Sequence, residues 1–427
     1  MTTTTSASAA PIVHETALVR SWKTPIVLGV FAILGIVMAF AFPATGETTF
    51  GLSTSKDAIQ LAPLVLPTRG SVIVAAVLLV LVAAVSTWLV ASPRGRSPLW
   101  LVIVFAVLFM FAFLTWVAAG KTIPLPGLLV GSLALSVPLI FGALGGVISE
   151  RSGVVNIAIE GQLLFGAFSA ALVGSITQNP VLGLVAAMIG AVLVSFVLAA
   201  FSIKYLVDQV IVGVVLNVLV LGLTSFFYSK VLVPDAATLN SPVKFDVLPI
   251  PLLSDIPILG PVLFRQTIIV YLMYIAVILV WFALFKTRWG LRARAVGEHP
   301  TAADTVGINV TSTRFWNVSL AGAIVGMGGA YYTLDVVGQF GKDMTGGAGF
   351  IALAAVIFGR WDPIRATLAG LLFGFATNLQ SVLAIIGSPV PSDFMLMLPY
   401  VVTVFAVAGL VGLSRAPAAD GKPYIKS

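Results

Sequence analysis

KTRWGLRARAVGEHPTAADTVGINVTSTR, running from Lys286 to Arg314, is a polar stretch set between two strongly apolar runs. Its opening portion carries Lys286, Arg288, Arg292 and Arg294. Each such residue at mid-bilayer costs about 2.5–3.5 kcal/mol, so four together cannot lie in hydrocarbon, and an excess of Lys and Arg marks a cytoplasmic loop. The second half differs in character. Pro300 suits the first turn of a helix, Thr301 to Asp304 are short and helix-tolerant, and Gly307 is a natural stop. Two readings fit: a cytoplasmic loop carrying one short helix outside the membrane and free to dock, or an ordinary basic loop anchoring two spans.

Hydrophobic residues make up 59% of the chain and charged residues 9%, with a mean hydropathy of +1.09. An average globular chain has about 25% charged residues. Apolar runs long enough to cross a bilayer recur throughout, so the expected fold is all-α, a polytopic membrane helix bundle of about 12 segments. The alternating ten-residue strands of a porin are not seen. A net charge of +7 would suggest nucleic acid as the partner of a soluble protein. In a membrane protein basic cytoplasmic loops account for it, and no nucleic-acid partner is expected. The chain has no cysteine, which removes disulfides, thiolate chemistry and Cys-ligated metals. His14 and His299 are its two histidines, too far apart in sequence for a histidine-rich metal site, so no metal is expected.

Residues 1–24 read as a disordered cytoplasmic tail, rich in Thr, Ser and Ala. The first apolar run is Pro25–Phe42. Its Ala39-Phe40-Ala41 triplet superficially fits a signal-peptidase site, but the run is long enough to cross and an uncleaved span is expected. Further spans are expected at Ser71–Ala91, Pro98–Ala119, Leu125–Ile148 (interrupted by Pro138), Val154–Ser175, Val181–Ile203, Val210–Tyr228, Gln266–Phe285, Phe315–Leu334, Ile364–Ile386 and Phe394–Leu413. Lys230 to Arg265, with six prolines, reads as an extramembrane cap. Ile351–Phe358 is too short to span a core of about 30 Å and reads as a half-helix, a re-entrant segment or a sheltered short span. Backbone breaks at that depth are tolerated only inside protein or along a wet cavity.

Counting the short segment as a crossing puts both termini on one side. That side collects 16 of the 23 Lys and Arg, including Arg94, Arg96, Arg151, Arg292, Arg360 and Arg415; the other collects 7. The bias makes both termini cytoplasmic.

No catalytic residues emerge. A chain hydrolysing ATP would need a Gly-rich phosphate loop ending in Lys-Ser/Thr. Gly120-Lys121-Thr122 is the nearest approach, but Thr115 stands where the first glycine belongs. No triad, carboxylate pair or metal constellation appears, so a transport protein is expected rather than an enzyme. Polar residues within spans remain. Asn156 and Glu160 are spaced i, i+4 on the expected helix, with Gln162 nearby, and Glu160 lies about 9 Å along from Val154. An ionisable residue at that depth lines a pathway or holds a structural hydrogen bond. Gln209, Gly213 and Asn217 form a similar stripe, and Thr367, Gly370, Gly374, Asn378 and Ser381 another. Asn156, Glu160, Gln162, Asn217 and Asn378 are the translocation-pathway candidates. Glycines spaced by three and four, as at Gly322, Gly326 and Gly329, read as close-packing faces.

From Ser149-Glu150-Arg151-Ser152-Gly153-Val154-Val155-Asn156-Ile157 on to Glu160-Gly161, the chain resembles the permeases of ABC importers. The similarity is to the branched-chain amino acid/ribose/nucleoside permease family, nearest its nucleoside-type members served by a lipoprotein binding protein. Arg294-Ala295-Val296-Gly297-Glu298-His299-Pro300 with Ala302-Ala303-Asp304 and Gly307-Ile308-Asn309 is a second match; Gly349 to Ala355 with Phe358-Gly359 a third; Pro423-Tyr424-Ile425-Lys426 a fourth. The resemblance implies that the Glu298–Gly307 segment is a coupling helix seated in a separate ATPase, with Gly297, Glu298, Ala302, Ala303, Asp304 and Gly307 as its coupling residues. It also implies that ATP and Mg bind that partner and no cofactor binds this chain, that an external lipoprotein delivers a small polar substrate, and that a second related permease completes the pore. Residues 25–120 form a three-span extension that shorter members lack, 121–414 the permease core and 415–427 a cytoplasmic tail. Nucleosides are the expected substrate, a simple sugar the alternative. A self-sufficient ion-coupled transporter or a channel is the competing reading, thinly supported by one buried carboxylate and no obvious inverted repeat.

Overall fold

Long runs of Leu, Val, Ile, Ala and Phe fold as helices here because in hydrocarbon every backbone N–H and C=O must be satisfied within its own segment. A computed structural model describes residues 21–55, 57, 59–92, 97–387, 397 and 415–426. Residues 1–20, Arg94, Arg96 and, apart from Met397, the expected span Phe394–Leu413 lie outside them. Among the described residues nine helices are long and apolar enough to cross a membrane. The polytopic helical fold is thereby borne out.

The chain forms two compact units, Met1–Thr49 with Val65–Lys121, and Phe50–Leu64 with Thr122–Ser427. In the first, α1 (Lys23–Phe40), α2 (Thr68–Ala91) and α3 (Leu99–Val117) pack through Leu28, Ala32, Leu79, Leu101 and Phe105. Phe31 meets Phe109 edge to face at 5.1 Å. The second unit takes up Phe50–Leu64, where Asp57 pairs with Arg265 at 3.3 Å. Its helices are α4 (Leu125–Arg151), α5 (Ile159–Thr177), α6 (Pro180–Ala199), α7 (Gln209–Phe227), the single turn α8 (Ala236–Leu239), α9 (Ile268–Lys286), α10 (Arg288–Glu298), α11 (Pro300–Thr305), α12 (Val310–Tyr331), α13 (Ala348–Phe358) and α14 (Pro363–Ile385). Between α8 and α9, Val247–Pro249 pairs antiparallel with Arg265–Thr267.

The α4 helix is the axis of this unit. It runs unbroken through Pro138, and the hydroxyls of Ser132 and Ser136 bond to the carbonyls one turn back, at 2.6 Å each. Both α12 and α14 lie antiparallel along it. Gly328 faces Phe141 and Gly145 faces Ala321, while Gly370 faces Ile140 and Gly374 faces Ser136. The α12 glycines are a close-packing face as expected: a Cβ at Gly326 would fall on the Ala187 carbonyl of α6.

The α13 helix runs parallel to α4, with Ala352 beside Gly142 and Val356 beside Gly146. Eleven residues make about 16 Å of helix, roughly half a hydrocarbon core. Both α12 and α14 run toward the Leu125 end of α4, so the chain turns back between them: Val337–Gly347 is without α-helix, and α13 makes the helical part of the return toward the Arg151 end.

Candidate functional site

The polar residues inside the second unit converge where α4 gives way to α5. Gly153 takes φ +87° and Val154–Ala158 is non-helical, so α5 starts at Ile159. The expected helix from Val154 is corrected at this point. Asn156 precedes α5 instead of sharing a helical face with Glu160. Its Nδ2 donates to Gln162 Oε1 at 3.0 Å, and Gln162 Nε2 donates to Ser195 Oγ at 2.9 Å.

A backbone break at this depth leaves amides and carbonyls that must find partners. The α7 stripe supplies them. Gln209 Oε1 accepts from Val155 N at 2.7 Å, Asn217 Oδ1 accepts from Gly161 N at 2.8 Å, and Asn217 Nδ2 donates to Ile157 O at 2.8 Å. Between them Gly213 lets α7 come close, since a Cβ there would lie 2.8 Å from Ile157 Cβ.

Glu160 faces the other way, into the start of α13. Its Oε1 accepts from Thr345 Oγ1 at 2.6 Å and Gly347 N at 2.9 Å, and its Oε2 accepts from Gly349 N at 2.6 Å. A helix N-terminus has orphan N–H groups and a partial positive charge, and a carboxylate answers both. Glu160 also lies in the first turn of α5, so one anion serves two helix starts. Asn156, Glu160, Gln162 and Asn217 thus form one buried region. Asn378 stands apart, tying α14 to α4 through Leu128 O at 2.7 Å and Ser132 Oγ at 3.3 Å.

The basic stretch forms a second region at the Arg151 end of α4. Lys286–Arg294, expected as loop, is helical from Arg288, and α10 and α11 meet at His299. Charges obscured a helical spacing of small residues, Gly290, Ala293, Val296 and Gly297, which are the buried ones. Thr287 Oγ1 caps Gly290 N, and the Arg294 guanidinium lies 5.2 Å from the Phe285 ring centroid. Gly297 sits so close to α4 that a Cβ would fall on Arg151 O. Gly307 takes φ +85° just past α11, as a stop requires.

Ala303 is buried with Val296 and Val310, against Ile308 and Tyr424. Its small size follows from packing within the chain. Ala302, Thr305 and Val306 carry the exposed face, Val306 at 75% exposure. The tail packs here too. Ala419 N donates to Gly297 O at 2.9 Å, and Ala418 N to Glu298 Oε2 at 3.1 Å. Burial raises the Asp420 carboxyl above the usual carboxylate range, while the Gly421 amide and the Arg314 guanidinium draw it back. Tail packing was not legible beforehand; the Pro423–Lys426 match was its one signal. Among the described residues no cluster of His, Cys, Asp and Glu could hold a metal ion.

Residues 128–407 match the family described as branched-chain amino acid transport system / permease component. The chain is 44% identical over 308 residues, 69% of its own length and 95% of the relative's, to the guanosine ABC transporter permease protein NupQ of Bacillus subtilis. It is 42% identical to the nucleoside ABC transporter permease protein NupC of Lactococcus lactis, over 69% of this chain and 95% of the relative. It is 36% identical to the putative glucose ABC transporter permease protein TsgC13 of Haloferax volcanii, over 60% and 77%. No solved structure matches. The matched region contains the α4–α5 break, the α13 half-helix and the α10–α11 pair, and the chain belongs to the branched-chain amino acid transport system / permease component family as a multi-pass membrane transport subunit.

Proposed function

We propose that this chain is one permease subunit of an ATP-driven, binding-protein-dependent importer of nucleosides. The observation that carries the reading is the 44% and 42% identity, over 95% of each relative, to permeases named for guanosine and nucleoside transport. ATP and Mg are held by a separate ATPase, a lipoprotein delivers the substrate, and a second related permease completes the pore. The ATPase docks at Glu298–Gly307. Ala302 and Asp304 reach toward it with Glu298, while Gly297, Ala303 and Gly307 shape the element from within. The exposed Val306 at its tip supports this reading. Asn156, Glu160, Gln162 and Asn217 fix the α4–α5 break and the start of α13, and through them the shape of the pathway. The 36% identity to a putative glucose permease favours a simple sugar as the second substrate reading.

Uptake by vesicles holding the assembled importer separates these readings. Labelled guanosine is expected to accumulate with ATP and to keep accumulating after proton and sodium gradients are collapsed. Loss of uptake with the gradients would make the chain an ion-coupled transporter, and accumulation of glucose alone would select the sugar.

The 16-to-7 charge bias supports cytoplasmic termini. The chain has no cysteine, so single cysteines report its sidedness directly. Leu252 and Leu291 are 84% and 61% exposed, in the Lys230–Arg265 segment and on α10. In intact cells an impermeant thiol reagent is expected to label Leu252→Cys and to spare Leu291→Cys until the membrane is opened. The reverse pattern would invert the topology.

A further inference from the structure

We propose that Ala418–Lys422 is a strap, clamped by Arg314, that joins the α10–α11 pair to α12 so that force on the docking element reaches the membrane helix. Arg314 is the positioning residue. The proposal rests on the docking reading given above and names the part of the chain that transmits the push.

Arg314 lies one turn into α12 and is 2% exposed, the largest fully buried side chain among the described residues. Its Nη1 donates to Lys422 O at 2.8 Å and its Nη2 to Ala419 O at 3.4 Å. Among the described residues its Nε has no hydrogen-bond partner, so each hydrogen bond made by the guanidinium goes to tail backbone. The opposite edge of the same tail bonds α10, through Ala419 N to Gly297 O and Ala418 N to Glu298 Oε2. Gly153 lies beneath, where a Cβ would come within 2.7 Å of Arg314 Nη2. The tail is thus hydrogen-bonded on one side to the end of the docking element and on the other to a membrane helix.

A buried guanidinium facing two carbonyls and the Asp420 carboxyl is weak evidence for stability by itself, since well-packed apolar side chains in the same volume often do as well. What a planar fork on two carbonyls supplies is one seat, in one orientation. The direct link between α11 and α12 is a small core of Val296, Ala303 and Val310 and a turn whose Ile308 N bonds back to Ala303 O at 3.0 Å. That turn is Val306–Asn309, largely exposed and containing Gly307 at φ +85°. Coupling needs contacts that differ between two states, and the tail adds a second set beside this turn. The strap braces the turn, and Tyr424 adds to the small core of Val296, Ala303 and Val310 beneath α11.

The test uses the assembled importer in proteoliposomes, with Arg314→Gln, Arg314→Lys and a chain ending at Ser414, read out as complex yield, ATP hydrolysis and substrate taken up per ATP. The expected result is that Arg314→Gln and the shortened chain assemble and hydrolyse ATP, while uptake per ATP falls about tenfold, within the roughly 5–150-fold range of ordinary coupling. Arg314→Lys keeps the charge but not the fork and falls between. Arg314→Gln in the shortened chain is expected to add nothing, because both changes break one contact set. Wild-type uptake per ATP in both single variants overturns the strap. The docking reading survives that result if an exposed change on α11 still releases the ATPase, and fails with it if that change is silent as well. Failure of both variants to assemble assigns the strap to folding and overturns the proposal.

Discussion

Glu160→Ala is expected to reduce the yield of folded chain several-fold and to lower its melting temperature markedly. The carboxylate accepts from Thr345 Oγ1, Gly347 N and Gly349 N, and its loss orphans two buried donors, Thr345 Oγ1 and Gly349 N, and the part-buried Gly347 N. A buried donor left unsatisfied costs about 1–3 kcal/mol, so the two buried ones sum to about 2–6 kcal/mol if they act independently. That is a large share of the whole stability of many domains, about 5–15 kcal/mol. The space cannot be refilled easily, because Gly349 packs directly against the Glu160 backbone. Glu160→Gln keeps the shape and one acceptor, but turns an NH2 group toward donors, and should lie between wild type and alanine. Size-exclusion profile and thermal denaturation of the purified chain measure this. Normal yield and normal melting with uptake abolished would instead assign Glu160 to the transport path itself.

The fold class was legible because its physics is written in composition: long apolar runs, the Lys and Arg bias, and an Ile351–Phe358 run too short to be an ordinary span. Glu160 was singled out for a sound reason, an ionisable residue where hydrocarbon should be. Its partners were not legible, since Thr345, Gly347 and Gly349 lie 185 to 189 positions away and two of them contribute only backbone. The start of α5 was missed because Val154–Ala158 is apolar apart from Asn156 and carries no Gly or Pro after Gly153; the break depends on Gln209 and Asn217 reaching across from α7. In the basic stretch four cations concealed an amphipathic helix whose inward face is glycine, alanine and valine. Ala303 was rightly marked as small, but smallness alone does not say whether a neighbour belongs to the same chain or another.

That distinction sets the second large effect. Ala303→Arg would drive a cation into the core under α11 and disturb the element however it is used. Ala302 is its neighbour in sequence but points outward, so Ala302→Arg leaves that core intact. A surface change away from special features usually alters stability by no more than about 0.5 kcal/mol. The purified variant should therefore keep its yield, melting temperature and sidedness. If α11 sits in a close-fitting groove of the ATPase, a long charged side chain there must either clash or be desolvated unpaired, and breaking interfaces in this way typically costs about 2–5 kcal/mol. Such a cost weakens association at least about 30-fold. Ala302→Arg is accordingly expected to lose the ATPase on co-purification and to abolish ATP-driven uptake. Val306→Asp should do the same, by placing an unpaired carboxylate where a 75% exposed valine offers apolar surface to the partner. If both variants retain the ATPase and transport normally, α10 and α11 are an ordered basic loop and the docking site lies elsewhere on the chain.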